Sequence, residues 1–111
     1  MEFYHNPRCG KSRTALALLT EKGIEPTVRE YLKDQPDFAT LQAVIKKHGI
    51  APHDLIRTGE AVYKENFKGK SLIDEAWIQA MVDHPILIER PIFIKGDKAV
   101  VGRPPEKVLD L

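Results

Sequence analysis

The chain's only cysteine lies among residues that can donate hydrogen bonds to an anion. It is Cys9, in the segment HNPRCGKSR, where His5 precedes it by four residues and Arg13 follows it by four. A cysteine reacts as its thiolate, which nearby donors and positive charges stabilise. A lone cysteine is more often a small buried hydrophobic residue, but this polar setting favours a reactive one. We therefore interpret Cys9 as a nucleophile that His5 and Arg13 assist, although His5 could instead make only a structural hydrogen bond.

Three familiar motifs that contain such residues do not fit the segment. A tyrosine phosphatase loop needs arginine where Ala15 stands, and the first glycine of a Walker A loop would fall at His5. A thioredoxin motif needs a second cysteine where Ser12 stands. Since the chain has no second cysteine, a thiol from another molecule must resolve any oxidised or adducted Cys9. Four histidines without an HExxH-type pairing argue against a metal site.

Cys9 falls between a predicted strand and a predicted helix. The short aromatic run at 2–5 ends in Asn-Pro, which predicts a strand followed by a turn. Apolar residues at helical spacing run from Gly10 to Gly23, and TVREY at 27–31 indicates a second strand. The short connections favour a right-handed βαβ unit.

This position explains the chemistry that we expect of Cys9. Backbone N–H groups in the first turn of a helix have no partner within it, and they favour an anion at that end. Arg13, one turn into the helix, would stabilise the thiolate further, and so would His5 if it is protonated.

The rest of the chain predicts helices followed by a hairpin. Helices are expected at Phe38 to His48, Pro52 to Arg57, Glu60 to Asn66 and Ser71 to His84. In the last of these, Ser71 and Asp74 have the spacing of a capping box. A hairpin with strands at 92–94 and 99–101 follows, and then a terminal helix over PPEKVLDL. The order βαβ…ββα is the thioredoxin-like layout. We predict one α/β domain over 1–111, with a helical insertion at about 37–84.

Composition limits the classes of partner. The 111 residues are 42% hydrophobic and 30% charged, with a net charge of +1. This balance argues against a nucleic-acid or acidic-membrane partner held by bulk charge. No apolar run approaches the length of a membrane span, and no secretory signal precedes Cys9. A single free cysteine then predicts the reducing cytoplasm.

Two arginines are placed where they could meet Cys9. Arg90 and Arg103 each precede a proline, at opposite ends of the predicted hairpin. Neighbouring strands could bring both close to the carboxyl end of the first strand, where Cys9 lies. Arginines are usually solvated, so the spacing alone makes these two residues candidates only.

Four segments together resemble the glutaredoxin-type arsenate reductase family, which has a thioredoxin-like fold. They are HNPRCGKSR, LIRT, HPILIERPI and GRPPEKVLDL, which begin at residues 5, 55, 84 and 102. The resemblance implies that Cys9 is the nucleophile, with His5 as the activating histidine and Arg13 as the first-turn arginine. It also implies three oxyanion-binding arginines that converge on one anion site beside the cysteine, and these are Arg57, Arg90 and Arg103.

The same resemblance implies a reaction. It is the reduction of arsenate to arsenite, with glutathione and glutaredoxin as electron donors and no tightly bound cofactor. Thioredoxin-like proteins also commonly have a cis proline before the third strand, so we expect a cis Arg90-Pro91 bond. Two other functions stay open from the sequence: a non-catalytic interaction or regulatory protein that kept the fold, and a glutathione-dependent thiol oxidoreductase with another substrate.

Overall fold

The computed structural model describes residues 1–111, which form two compact units. The first unit comprises Met1–Asp34 and Arg90–Leu111, and the second comprises Gln35–Glu89, which contains the predicted insertion. The regular elements, in chain order, are β1 (Glu2–Tyr4), α1 (Gly10–Glu21), β2 (Thr27–Arg29), α2 (Phe38–His48), α3 (Ala61–Asn66), α4 (Asp74–Asp83), β3 (Ile92–Lys95) and β4 (Lys98–Val101). Three 3-10 helices lie at Pro52–Leu55, Pro85–Leu87 and Pro105–Asp110.

The first unit contains a four-stranded mixed sheet in the order β2-β1-β3-β4. β1 runs parallel to β2 across the α1 crossover and antiparallel to β3. β3 and β4 form a hairpin around Gly96-Asp97, where Gly96 has a φ of 61°, in the left-handed region that glycine tolerates. The βαβ…ββα arrangement predicted from the sequence is confirmed.

The core of the first unit explains why β1 and β3 occupy the centre of the sheet. Phe3 of β1 lies directly opposite Phe93 of β3, and both are fully buried. α1 adds Ala15 and Leu19, which are four residues apart and therefore share one helix face. Val108 of the terminal 3-10 helix completes the cluster. Tyr4 and Ile92, which lie on the opposite face of these strands, are fully buried as well.

The second unit is helical, and its two longer helices pack together. Six of the predicted apolar positions of α2 and α4 are buried: Leu41, Val44, Ile45, Trp77, Ile78 and Met81. Two others are not, since Phe38 is half-buried and Ile73, the N-cap of α4, is 71% exposed. α2 begins after Asp37, whose side chain accepts a hydrogen bond from the Thr40 N–H at 2.8 Å. It ends at Gly49, with a φ of 78°. Both ends of α2 therefore agree with the prediction.

Several predicted boundaries are wrong. β2 ends at Arg29 and not at Tyr31, because the carbonyl of Glu30 accepts the N–H groups of Lys33 and Asp34 in a turn. α4 begins at Asp74 and not at Ser71, since its N-cap is Ile73 and no side chain caps it.

The predicted terminal helix and the helix expected from Pro52 to Arg57 are 3-10 helices, and the second ends at Leu55. Both begin with proline, which suits a first turn. None of the helices has the length and apolar character needed to cross a membrane.

Candidate active site

Cys9 is the N-cap residue of α1 and has an extended backbone, with φ −95° and ψ 121°. Its carbonyl accepts the Arg13 N–H at 3.0 Å, and its own N–H donates to the Asn6 carbonyl at 3.0 Å. The side chain is partly exposed and makes no capping hydrogen bond. No acidic residue lies in the first turn of α1. The residue therefore lies at the positive end of the helix, a position that favours an anion.

The loop that carries Cys9 is held by hydrogen bonds at both ends. The Asn6 side chain accepts the Arg8 N–H at 3.0 Å, and the Asn6 N–H donates to Ser12 Oγ at 3.1 Å. Arg13 Nη1 donates to the Pro7 carbonyl at 2.9 Å. Arg13 therefore ties the loop to the first turn of α1.

His5 is buried, and its partner is a serine that the sequence analysis did not identify as functional. The Nδ1 atom of His5 lies 2.7 Å from Oγ of Ser12, which is fully buried. Since Oγ accepts the Asn6 N–H, the hydroxyl hydrogen is available to donate to Nδ1. With the hydroxyl group as the donor, the imidazole proton lies on Nε2. The sequence signal was a serine in the first helical turn, seven residues after the histidine.

His5 is not in the protonated state that would add a positive charge beside the thiolate. Burial lowers the pKa of His5 below its ordinary value of 6.5; Glu30 opposes this shift, and Arg13 adds to it. The neutral imidazole is therefore favoured at neutral pH. The structure therefore does not support stabilisation of the thiolate by the charge of a protonated His5. A neutral ring with a hydrogen on Nε2 still offers a hydrogen-bond donor.

The strand register brings the ends of the hairpin to the carboxyl end of β1. Ile92 lies opposite Tyr4 and also opposite Val101, so the residues just before β3 and just after β4 are neighbours. Arg103 Nε donates to the carbonyl of Arg90 at 3.0 Å. Arg90 thus lies next to the carboxyl end of β1, and Arg103 lies one strand further across the sheet, against the backbone of Arg90.

Prolines and a glycine shape this corner of the sheet. The Arg90-Pro91 bond is cis, as predicted, and the Arg103-Pro104 bond is cis as well. The N–H of Gly102 donates to the Pro91 carbonyl at 2.9 Å. A Cβ atom on Gly102 would lie 2.8 Å from Cγ of Pro91 and 3.0 Å from Cγ1 of Val108. Only glycine fits here without displacing its neighbours.

Arg57 belongs to the second unit, where it faces two carboxylates. Its guanidinium forms an ion pair with Glu60 through Nη1, and its Nε lies 3.7 Å from Oε1 of Glu89. Neither glutamate was identified from the sequence, although Glu60 follows Arg57 by three residues and Glu89 precedes Arg90 directly.

The structure therefore groups the predicted site residues in two sets. His5, Cys9, Arg13, Arg90 and Arg103 lie in the first unit, and Arg57 lies in the second. Their catalytic and substrate-binding roles, and the convergence of the three arginines, stay predictions. No group of three or more histidine, cysteine, aspartate or glutamate side chains is arranged to hold a metal ion.

Comparison with known proteins finds a matching family and similar proteins from bacteria. Residues 4–111 match the model of the ArsC family. The chain is 46% identical to an arsenate reductase of Haemophilus influenzae, over 97% of this chain and 95% of that one. It is also 50% identical to the uncharacterized protein YfgD of Escherichia coli, over 100% of this chain and 95% of that one.

A solved structure has the same fold. The arsenate reductase from Vibrio cholerae matches with a TM-score of 0.94 and 44% identity, over 99% of this chain and 97% of that one. The thioredoxin-like fold class expected from the sequence is thereby confirmed.

Proposed function

The chain belongs to the ArsC family, and on that premise we propose that it reduces arsenate to arsenite with Cys9 as the nucleophile. The observation that carries this proposal is the setting of Cys9, a partly exposed thiol at the N-terminus of α1 that caps nothing. The relatives named arsenate reductase supply the substrate.

Arginine side chains are suited to hold arsenate. The guanidinium is planar and always charged, and its donor fork matches two oxygens of a tetrahedral oxyanion. We assign this role to Arg90 and Arg103, whose backbones the hairpin brings together, and to Arg57. Such preorganised donors also stabilise the charge that the oxygens carry through the reaction.

The first chemical step is attack of the Cys9 thiolate on arsenic. A sulfur–arsenic bond forms and an arsenic–oxygen bond breaks; the departing hydroxyl group takes up a proton from solvent and leaves as water, and a cysteine–arsenate ester remains. The N-terminal end of α1 stabilises the thiolate before the attack. Neutral His5 assists as a donor through its Nε2 hydrogen, because its Nδ1 atom is engaged by Ser12.

Two further thiols supply the electrons, because the chain has no second cysteine. Glutathione attacks the adduct and displaces a second oxygen as water. A thiol of glutaredoxin then attacks the glutathione sulfur, and arsenic receives the electron pair of the broken bond. In sum, arsenic gains two electrons, and the two donor thiols lose two electrons and two protons as they form one mixed disulfide. Hydrolysis of the remaining sulfur–arsenic bond, which takes up one water, releases arsenite and frees Cys9.

This scheme requires no tightly bound cofactor, and glutathione acts as a co-substrate. The cytoplasm suits it, since both donors must be kept reduced and Cys9 must remain a free thiol.

The donors are tested by omission in a coupled assay. The wild-type protein is given arsenate, glutathione, glutaredoxin, glutathione reductase and NADPH, and NADPH oxidation is followed. We expect turnover that depends on arsenate and falls to the background rate when either glutathione or glutaredoxin is left out. Full turnover without glutaredoxin would show that the donor assignment is wrong.

A further inference from the structure

Two carboxylates contact the arginine that is assigned to bind substrate in the second unit. Glu60 pairs with Nη1 of Arg57, and Oε1 of Glu89 lies 3.7 Å from its Nε. The three side chains are similarly accessible, at 24%, 23% and 25% for Arg57, Glu60 and Glu89. An oxyanion that reaches Arg57 therefore meets acceptors as well as donors.

The backbone places these charges, so the cluster does not depend on flexible surface side chains. Ile56 and Ile88 form an antiparallel bridge. On its two sides, the Arg57 N–H donates to the Leu87 carbonyl at 2.7 Å and the Glu89 N–H donates to the Leu55 carbonyl at 2.8 Å. Arg57 and Glu89 are thereby fixed on adjacent segments.

Glu60 is placed by a local turn. Its N–H donates to the carbonyl of Arg57 at 3.3 Å, and it directly precedes α3. The spacing of three residues then lets its carboxylate reach the guanidinium. Both glutamates are thus presented to Arg57 by regular hydrogen-bonded structure.

The chemistry of such a cluster differs from that of a purely basic anion site. The two ion pairs engage Nη1 and Nε of Arg57, and an oxygen of an incoming anion would bind at Nη2, next to the carboxylates. An ionised carboxylate accepts hydrogen bonds and cannot donate them. It therefore repels a fully deprotonated oxygen, but it accepts a hydrogen bond from a hydroxyl on the same anion.

We propose that Glu60 and Glu89 make the Arg57 site selective for tetrahedral oxyanions that retain a proton. Arsenate and phosphate keep at least one hydroxyl group at neutral pH, whereas sulfate has none. Arg57 binds a charged oxygen of the anion, and the glutamates accept its O–H. The selectivity rests on the proposed role of Arg57 in binding arsenate, and it names the protonation state of the substrate that the site takes.

The test is direct binding of phosphate and of sulfate at neutral pH, measured by titration calorimetry in the absence of donors. We expect the wild-type protein to bind phosphate about tenfold or more tightly than sulfate, since one charge-assisted hydrogen bond separates the two anions. Glu60→Gln and Glu89→Gln should each reduce this preference for phosphate over sulfate. In the double variant the preference should be about tenfold smaller than in the wild type. A glutamine amide can donate to sulfate, so sulfate should gain affinity.

Glu65→Gln is the matched control, because Glu65 is exposed on α3 of the same unit and the substitution changes the net charge equally. It should leave the ratio unchanged. A wild-type protein without preference, a double variant with the wild-type ratio, or anion binding that Arg57→Gln does not weaken would each overturn the inference. The wild-type ratio tests it even if a variant does not fold.

The anion-binding test can fail or succeed independently of the test for arsenate reduction. If arsenate is not reduced but phosphate is preferred through the glutamates, the activity is wrong and the selectivity stands. If arsenate is reduced and the two anions bind equally, only the selectivity is wrong.

Discussion

Ser12 shows how a residue without obvious chemistry can set the state of one that has it. Its hydroxyl group is fully buried, accepts the Asn6 N–H and contacts Nδ1 of His5 at 2.7 Å. It thus connects the end of β1, the loop before Cys9 and the first turn of α1. The sequence marks Ser12 only as the place where a thioredoxin motif would have its second cysteine.

Removing this hydroxyl group should weaken both the fold and the site. In Ser12→Ala the buried Nδ1 atom of His5 and the Asn6 N–H lose their partner, which costs about 1–3 kcal/mol of unfolding free energy. We also expect slower alkylation of Cys9, because the His5 ring is no longer held. Chemical denaturation and the rate of reaction with iodoacetamide measure the two effects. Thr14→Ala, at an exposed position of α1, is the control, and equal behaviour of the two variants would contradict the role of Ser12.

His5 should make stability depend on pH. Burial lowers its pKa below 6.5 in the folded protein, so the unfolded chain binds more protons at pH values between the two pKa values. Stability therefore rises with pH through this window, and it is lost as the pH falls below about 6.5. We expect the melting temperature of the wild type to decrease more between pH 7 and pH 5 than that of His5→Gln.

The control for this measurement is His84→Gln, which removes a histidine whose ring packs against Phe67 in the other unit. It should retain the wild-type pH dependence. If the melting temperatures of His5→Gln and the wild type change equally with pH, burial of a neutral His5 does not cause the pH dependence.

At the scale of elements, the residue after the hairpin lies close to the terminal 3-10 helix. Gly102 lies against both Pro91 and Val108. The hairpin could be predicted from the sequence, because Gly96-Asp97 separates two β-branched runs. The lack of room for a side chain at Gly102 could not, since that contact joins residues far apart in the chain.

Gly102→Ala should therefore be destabilising. The added methyl group would lie 2.8 Å from Cγ of Pro91 and 3.0 Å from Cγ1 of Val108, so the neighbours must move. Overpacking of this kind costs about 1–3 kcal/mol. Gly59→Ala is the control, because a Cβ atom there meets nothing within 4 Å. Equal melting temperatures for the two variants would contradict this prediction, because they would show that Pro91 and Val108 move aside without loss of stability.

The predicted elements succeeded where local chemistry decides the structure. α2 has a capping aspartate and a left-handed glycine at its ends, and both are legible in the sequence. α4 has neither: Ser71 and Asp74 have the spacing of a capping box, yet the helix begins at Asp74 with Ile73 as its N-cap. Hydrogen bonds in the turn after Arg29 likewise end β2 early, and residue propensity does not reveal them.

At the scale of the whole molecule, the candidate site draws on residues far apart in sequence. The first 34 residues carry His5, Cys9 and Arg13, and residues 90–111 carry two of the arginines in the same unit. Pattern alone placed Arg90 and Arg103 at the correct end of the sheet, because hairpin register follows from the turn. Glu60 and Glu89 were missed, because their meeting with Arg57 depends on a bridge between segments more than 30 residues apart.

The measurement that tests the central claim most directly is arsenite formation by the wild-type protein and by Cys9→Ser. Each is incubated with arsenate, glutathione and glutaredoxin, and the arsenic species are separated and quantified. We expect the wild type to produce arsenite and Cys9→Ser to yield no more than the protein-free mixture, because the serine hydroxyl is a far weaker nucleophile. Arsenite formation by Cys9→Ser at the wild-type rate, or none by the wild type, would contradict the assignment of Cys9 as the nucleophile of an arsenate reductase.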